Sequence, residues 1–319
     1  MCCHPGETTV YDSTETIDPE THPLNGGFLL KTLVLSVDPY MRGRMRAPDQ
    51  KSYVAAFAVG EPWVSRVITG FGVGVVLRSE NNEVAPGKYV YGMAFPHQEY
   101  FVAHTITGFT TLEKHPYLPW TVYVGAAGMP GTLIQSGETA FGTTGAGTMV
   151  IQLAKRDGLK VIASAGSDEK VAFMREIGAD VAFNYKTTDM REVLAREGPI
   201  DIYWDNVGGD VLDAALENAA IYARFLECGM ISGYDTGQQG IKNLNQTYAR
   251  ALTISGVSVF RLTPKYDEEF YANIPHELAT GELKYTEDVS YGLDKVGNVL
   301  LAVQTGTNKG KAVVVVAEE

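Results

Sequence analysis

Cysteine and long apolar runs are scarce in this sequence. Its 319 residues include three cysteines, of which Cys2 and Cys3 are adjacent and Cys228 lies far from both. Such a set cannot form a disulfide framework, so we expect a reducing compartment, the cytoplasm. No apolar run reaches the length of a transmembrane helix, and residues 1–20 carry no signal-peptide or transit pattern.

Positive charge and metal ligands are also in short supply. There are 26 Lys and Arg residues against 38 Asp and Glu residues, which gives a net charge of −12 without any basic block. Nucleic acid and anionic membranes are therefore excluded as partners, because both require local positive charge. A catalytic zinc needs three protein ligands, and the contiguous Cys2, Cys3 and His4 cannot surround an ion unaided. We expect no metal and a small-molecule substrate.

Two textures divide the chain. Residues 26–123 consist of short apolar runs separated by Gly and Pro turn signals, which predicts an antiparallel β domain. From residue 138 onward, short apolar strands alternate with amphipathic helices, which predicts a parallel sheet covered on both faces, a Rossmann-type doubly wound α/β fold. The expected strands are residues 138–143, 159–164, 180–183, 199–204 and 225–228, and the tail adds a helix at 296–304 and a strand at 312–317.

A glycine-containing turn joins the first strand of that alternation to its first helix. In residues 142–149, Gly145 and Gly147 allow the backbone to approach a pyrophosphate, whose charge is stabilised at a helix N-terminus. The full fingerprint needs a third glycine at position 150, which is Val150. The turn is therefore as compatible with a plain strand-to-helix connection as with a dinucleotide site.

The end of the second strand is more specific. An NAD enzyme places Asp or Glu there to bind the ribose 2′-hydroxyl, whereas this chain has Ser164-Ala165-Gly166-Ser167. A neutral tip leaves space for a 2′-phosphate, and Lys170 can supply the counter-charge, so NADPH is favoured over NADH. The alternative is that Ser167 caps the helix and Lys170 is solvated. Both interpretations can hold together.

Six segments spread over the chain carry a resemblance to a known family. They resemble the zinc-independent medium-chain dehydrogenase/reductases of the leukotriene/prostaglandin reductase and alkenal double-bond reductase group. The Asp-Pro-Tyr-Met-Arg and Asp-Asn-Val-Gly-Gly runs are the most specific of them. The segments are residues 36–42, 70–74, 166–170, 183–186, 205–209 and 308–311.

The resemblance implies both the fold and the cofactor contacts. A GroES-like, mostly antiparallel β domain would comprise residues 1–130 completed by 261–319, with a Rossmann NADP-binding domain at 131–260 and an active-site cleft at their boundary. The cofactor is NADPH/NADP+. In such enzymes Lys170 and Tyr185 would contact the 2′-phosphate, Asn206 and Cys228 would lie along the cofactor, and Asn308 would approach the nicotinamide.

The resemblance also implies the substrate contacts. Tyr234 matches the tyrosine that contacts the substrate carbonyl, and Tyr40 is similar to a tyrosine lining the substrate pocket. Tyr40 and Tyr185 can also be packing aromatics, and Asn206 a turn former. The implied reaction is hydride transfer from NADPH to the β-carbon of an α,β-unsaturated aldehyde or ketone. The assembly is left open, a homodimer included.

The sequence departs from the family pattern at three places. The segment at residues 132–136 is short, the glycine loop lacks several residues around Gly147, and residues 63–67 are additional. The shortened glycine loop keeps open the alternative of a cofactor-binding homologue with impaired catalysis. A second alternative is a quinone reductase of the same superfamily, with the same cofactor but a different acceptor.

Overall fold

The computed structural model describes residues 4–45, 67–129, 145–237 and 239–319. They belong to two compact units, one formed by Met1–Gly128 with Thr286–Glu319 and the other by Met129–Tyr285. The domain limits expected from the sequence, after residues 130 and 260, stay a prediction. The strands are β1 (Phe28–Ser36), β2 (Thr69–Ser79), β3 (Tyr89–Pro96), β4 (Tyr100–Ala103), β5 (Phe109–Leu112), β6 (Ile162–Ala165), β7 (Val181–Asn184), β8 (Ile200–Asp205), β9 (Ala219–Glu227), β10 (Thr253–Gly256), β11 (Glu287–Tyr291) and β12 (Lys311–Val315). The helices are α1 (Met41–Arg44), α2 (Gly145–Arg156), α3 (Asp168–Glu176), α4 (Met190–Glu197), α5 (Gly209–Glu217), α6 (Gln246–Ala249), α7 (Val259–Thr280) and α8 (Val296–Thr305).

The first unit is built on one sheet with the order β11-β12-β1-β2-β3-β5, in which β4 also pairs with β1. Its strand pairs are antiparallel apart from β11 and β12, which run parallel. Alternate residues of β1, such as Phe28 and Leu30, meet Leu300 of α8 in a common core. The antiparallel β domain predicted from the punctuated apolar runs is therefore present.

The second unit contains parallel strands in two described groups, β6-β7 and β10-β9-β8. In a doubly wound sheet these correspond to strands 2-3 and 6-5-4 of the usual order 3-2-1-4-5-6. Helices α2 to α5 alternate with these strands, and Val171, Met174 and Ile177, which are spaced three residues apart, are all buried. The predicted first strand, residues 138–143, lies outside the described residues, as do the short segment 132–136 and the start of the glycine turn.

Helix α7 and strands β9 and β11 differ from what the sequence predicts. Helix α7 runs through Pro264 and Pro275, which read as helix breaks in a sequence, and no helix is expected there from the pattern. Strand β11 has no buried residue, so it lacks the apolar alternation by which strands are found. Strand β9 begins earlier than expected and ends at Glu227, so Cys228 lies just beyond it.

None of the helices within the described ranges is long and apolar enough to cross a membrane.

Candidate active site

The tip of strand β6 leads directly into helix α3. Ser167 has an extended backbone conformation, and its side chain accepts a hydrogen bond from Lys170 N at 3.4 Å. Ser167 is therefore the N-cap, as one of the two sequence interpretations expects. Lys170 lies half-buried in the first turn of α3, so its backbone serves the cap while its side chain extends from the same turn.

Tyr185 lies across this tip. It follows β7, and its backbone N–H donates to the carbonyl oxygen of Ala165 at 3.1 Å. Its hydroxyl oxygen is 2.7 Å from the place that a Cβ on Gly166 would occupy. The side chain is 49% exposed, which agrees both with a cofactor contact and with the alternative of a half-buried packing aromatic. Glycine at position 166 therefore leaves room for the Tyr185 ring beside Ser167.

Lys186 is a residue of this region to which the sequence analysis assigned no role. Its side chain is exposed, and its Cε lies 3.2 Å from the same Cβ position on Gly166. The Asn184 side chain donates to the Asp168 carboxylate at 2.8 Å, so the acidic residue beside the tip already has a partner. The sequence contained one signal for Lys186 as a site residue, which is that it directly follows Tyr185 in a segment that carries the family resemblance.

The two predicted glycine contacts lie in the first turn of helix α2. The helix begins at Gly145, Gly147 is buried, and the first turn contains no acidic residue. A helix N-terminus without acidic side chains is suited to an anionic group, because its free N–H groups point outward. The part of the glycine turn before Gly145 lies outside the described residues.

A second group of predicted residues meets where β8 and β9 end. The fully buried Asp205 accepts hydrogen bonds at its carboxylate from Val207 N at 2.8 Å and Gly208 N at 3.0 Å. Its backbone oxygen accepts from Cys228 N at 2.9 Å and Gly229 N at 3.1 Å. Asp205 thus ties the turn that follows β8 to the turn that follows β9.

Tyr234 is held against the same turns. Ile231 N donates to the Asn206 backbone oxygen at 3.1 Å, and Tyr234 N donates to the Ile231 oxygen at 3.1 Å. The Tyr234 hydroxyl oxygen lies 3.3 Å from the Cβ position of Gly229. The Asn206 side-chain nitrogen is buried and meets no hydrogen-bond acceptor among the described residues. The structure therefore brings Asn206, Cys228 and Tyr234 together at the carboxyl edge of the parallel strands, where doubly wound sheets bind ligands.

The Cys228 thiol in this group is unreactive. Burial, reinforced by the negative charges of Asp205 and Glu227, raises the pKa of Cys228 to about 12. The thiolate is the nucleophilic and metal-binding form of cysteine, so at neutral pH Cys228 is a packing and contact residue.

Tyr40 and Asn308 belong to the first unit. The Tyr40 ring meets Phe71 edge-on with centroids 6.4 Å apart, and burial raises the pKa of its phenol. The Asn308 side-chain nitrogen donates to the Gly310 oxygen at 2.7 Å. Near these residues, the motif residues Asp38 and Lys311 form a buried ion pair of 3.2 Å. The two family motifs thus meet through a structural contact that the sequence alone did not indicate.

Metal ligands do not gather in the described ranges. No group of three or more His, Cys, Asp or Glu residues there is arranged to hold an ion. Both ring nitrogens of His97 are buried, and burial lowers the pKa of this histidine to about 3, so its ring is neutral. The expectation of a zinc-independent site stays a prediction, tested below.

Comparison with known proteins assigns the family. The profile of the family described as "Zinc-binding dehydrogenase" matches residues 145–275, and that described as "N-terminal domain of oxidoreductase" matches residues 7–111. NADP-dependent oxidoreductase RED1 of Cochliobolus heterostrophus is 39% identical over 92% of this chain and 88% of its own length. The chain belongs to the medium-chain dehydrogenase/reductase superfamily.

Further similarities indicate the group within this superfamily to which the chain belongs. The 2-alkenal reductase (NADP(+)-dependent) of Nicotiana tabacum is 37% identical over 99% of this chain and 95% of its own length. The crystal structure of CurA in complex with NADPH from Vibrio vulnificus matches with a TM-score of 0.81 and 29% identity, over 96% of this chain and 94% of that one. The predicted group, of leukotriene/prostaglandin and alkenal reductases, and the predicted fold class are confirmed.

Proposed function

We propose that this chain reduces the carbon–carbon double bond of α,β-unsaturated aldehydes or ketones with NADPH. The observation that carries the proposal is the cluster of Asn206, Cys228 and Tyr234 at the carboxyl ends of β8 and β9, with the Tyr234 hydroxyl close to Gly229. The tobacco relative is named for 2-alkenal reduction with NADP(+), and the Vibrio vulnificus structure is titled as an NADPH complex.

The second unit fits an NADPH molecule at both ends. At one end, the neutral tip of β6 carries Tyr185 and is followed by Lys170, which suit the 2′-phosphate. At the other, the buried and unpartnered nitrogen of Asn206 offers a donor to a bound molecule, since buried donors seldom remain unpaired. The N-terminus of α2, with Gly145 and Gly147, suits the pyrophosphate.

The chain's own contribution to the chemistry is polarisation of the substrate carbonyl. When bound, NADPH supplies a hydride, which the substrate receives at its β-carbon. The Tyr234 hydroxyl then donates a hydrogen bond to the carbonyl oxygen, where the negative charge of the enolate accumulates. The α-carbon takes its proton from water. No strong general acid is required, and most of the rate comes from positioning.

The remaining assignments concern the first unit and the assembly. Tyr40 is proposed to line the substrate pocket and Asn308 to approach the nicotinamide. A homodimer is also proposed, because β10 is exposed along its length and pairs only with β9 within the described part of the chain. An unpaired strand edge is a ready surface for a second copy. A cytoplasmic location follows the cysteine usage.

The test measures NADPH consumption by the purified chain with enals, enones and quinones, together with product identity. We expect the saturated carbonyl compound as the main product. Tyr234→Phe should retain NADPH binding and lower kcat by about 10²- to 10³-fold, the usual effect of losing one oxyanion donor. Tyr248→Phe, at an 82% exposed tyrosine of the same unit, is the matched control and should be neutral.

Three results would count against parts of this proposal. An allylic alcohol as the main product excludes double-bond reduction. Turnover confined to quinones favours the alternative acceptor, and NADPH binding without any turnover favours a homologue with impaired catalysis. A fully active Tyr234→Phe enzyme leaves the reaction standing but removes Tyr234 from it.

A further inference from the structure

Two carboxyl groups face each other at the edge of the parallel sheet. Asp205 and Glu227 are the last residues of β8 and β9 and lie opposite one another in the parallel register. Neighbouring strands are about 4.8 Å apart, and residues opposite one another in a parallel register project their side chains to the same face of the sheet, so the two carboxyl groups are neighbours. Asp205 is fully buried, and both carboxyl oxygens of Glu227 are buried as well. This pair is distinct from the residues assigned to the cofactor or substrate.

This arrangement favours a single negative charge, because two neighbouring carboxylates repel each other and one of them then retains its proton. Asp205 already accepts from Val207 N, Gly208 N and the Tyr203 hydroxyl, the last at 3.2 Å, and such donors favour its charged form. Glu227 has no donor partner among the described residues. The retained proton therefore resides on Glu227. Burial, and then the charge of Asp205, raises the pKa of Glu227 to about 8.

Among the described residues, the titratable groups around Glu227 provide no positive charge to offset a second negative one. From β8, the titratable groups that face Glu227 are Tyr203 and Asp205. On its own strand the next group is Cys228, and β10 carries no titratable side chain. Burial raises the pKa of Tyr203 and of Cys228, which keeps both neutral near pH 8. These groups include no cation, so ionised Glu227 would repel Asp205 directly.

We propose that Glu227 is a positioning residue: its protonated carboxyl keeps the Asp205 carboxylate on the Asn206–Gly208 turn, and NADPH binds the form of the chain that carries this proton. The inference rests on the proposed NADPH-dependent function. Asp205 holds Val207 and Gly208 through its side chain and Cys228 through its backbone. Repulsion at Asp205 therefore displaces the turns that carry two predicted cofactor contacts. Ionised Glu227 also adds negative charge beside an anionic ligand.

The expected signature is an alkaline limit on binding. If only the protonated form binds, the apparent Kd stays level below the pKa of Glu227 and rises tenfold per pH unit above it. With a pKa of about 8, the Kd for NADPH increases about tenfold between pH 7 and pH 9. The 2′-phosphate is already ionised across this range, with a second pKa of about 6, and exposed lysines titrate at about 10.4.

The experiment compares three proteins. NADPH binding is followed by fluorescence between pH 7 and 9.5 for the native chain, Glu227→Gln and Glu192→Gln. The amide of Glu227→Gln is neutral and does not titrate, so its Kd should equal the native value at pH 7 and stay level. Glu192 is an exposed carboxylate on α4, and Glu192→Gln should keep the native rise. Calorimetry at pH 8.5 in two buffers of different ionisation enthalpy should detect proton uptake by the native chain alone.

The outcomes separate this inference from the function on which it rests. Equal pH dependence in the native chain and Glu227→Gln, whether rising or level, overturns the role of Glu227 while NADPH binding stands. Absence of NADPH binding at pH 7 contradicts the proposed function, and the inference with it. Should Glu227→Gln fail to fold, infrared spectra of the native chain decide. A protonated-carboxyl band at pH 7 that disappears by pH 9.5, in step with the Kd, supports the inference, and absence of that band at pH 7 overturns it.

Discussion

Gly166→Ala offers a direct test of the proposed 2′-phosphate site, because the added methyl group meets the ends of two identified side chains, Tyr185 most closely and Lys186 at 3.2 Å. The added Cβ would stand 2.7 Å from the Tyr185 hydroxyl oxygen and 3.0 Å from the Tyr185 Cζ. The blocking atoms are the far end of a half-exposed side chain, so Tyr185 turns outward and the backbone stays in place. We therefore expect a stability change within about 1 kcal/mol and the loss of Tyr185 from the tip of β6.

The magnitude follows from the lost contact. A hydrogen bond to a charged group contributes about 1.5–3 kcal/mol, so NADPH binding should weaken by about 10- to 150-fold. NADH lacks the 2′-phosphate and should bind as before. The assay is the Kd of each cofactor for the native chain, Gly166→Ala, Tyr185→Phe and the double variant. Gly240→Ala, where a Cβ meets nothing within 4 Å, is the control.

The double variant makes this prediction refutable. If Gly166→Ala acts by displacing Tyr185, both single variants remove the same contact and the double variant binds NADPH no more weakly than the weaker single one. Additive losses would show that the methyl group acts on something else. Equal losses for NADPH and NADH would remove Tyr185 from the 2′-phosphate site altogether.

Three further predictions concern charge, the buried ion pair and metal. Lys170→Ala should weaken NADPH about 10- to 150-fold and leave NADH unchanged, with Lys88→Ala on the first unit as the neutral control; equal losses for both cofactors would contradict it. Lys311→Met should lower the free energy of unfolding by about 3–5 kcal/mol, because it leaves Asp38 buried without its ion-pair partner. This corresponds to a fall in Tm of about 6 to 20 °C. Adding Asp38→Asn should recover part of the loss, whereas an unchanged Tm would show that the pair contributes nothing. Chelation should not alter activity and elemental analysis should find no stoichiometric zinc, because the described residues offer no ligand group; one tightly bound zinc per chain would refute this.

The fold was predictable where local pattern and tertiary environment agree. Strands β6 to β8 are short apolar runs bounded by turns, and α3 combines a serine cap with a buried stripe, so their residues alone indicate their structure. Helix α7 and strand β11 escaped because their stability comes from neighbours. Strand β11 is formed by parallel pairing with β12, a partner that local sequence cannot reveal.

The same distinction between local sequence and tertiary contacts applies to the candidate site. The neutral tip at Gly166, the cap at Ser167 and the nearby Lys170 are adjacent in the chain, and so the sequence by itself was sufficient to predict NADPH as the cofactor. Only the tertiary structure decided that Tyr185 crosses that tip and that Lys186 is beside it. It also set Glu227 opposite Asp205, because strand register brings together residues far apart in the chain. Burial then raises the pKa of Glu227 above that of an exposed glutamate, since desolvation depends on the folded chain and not on the sequence.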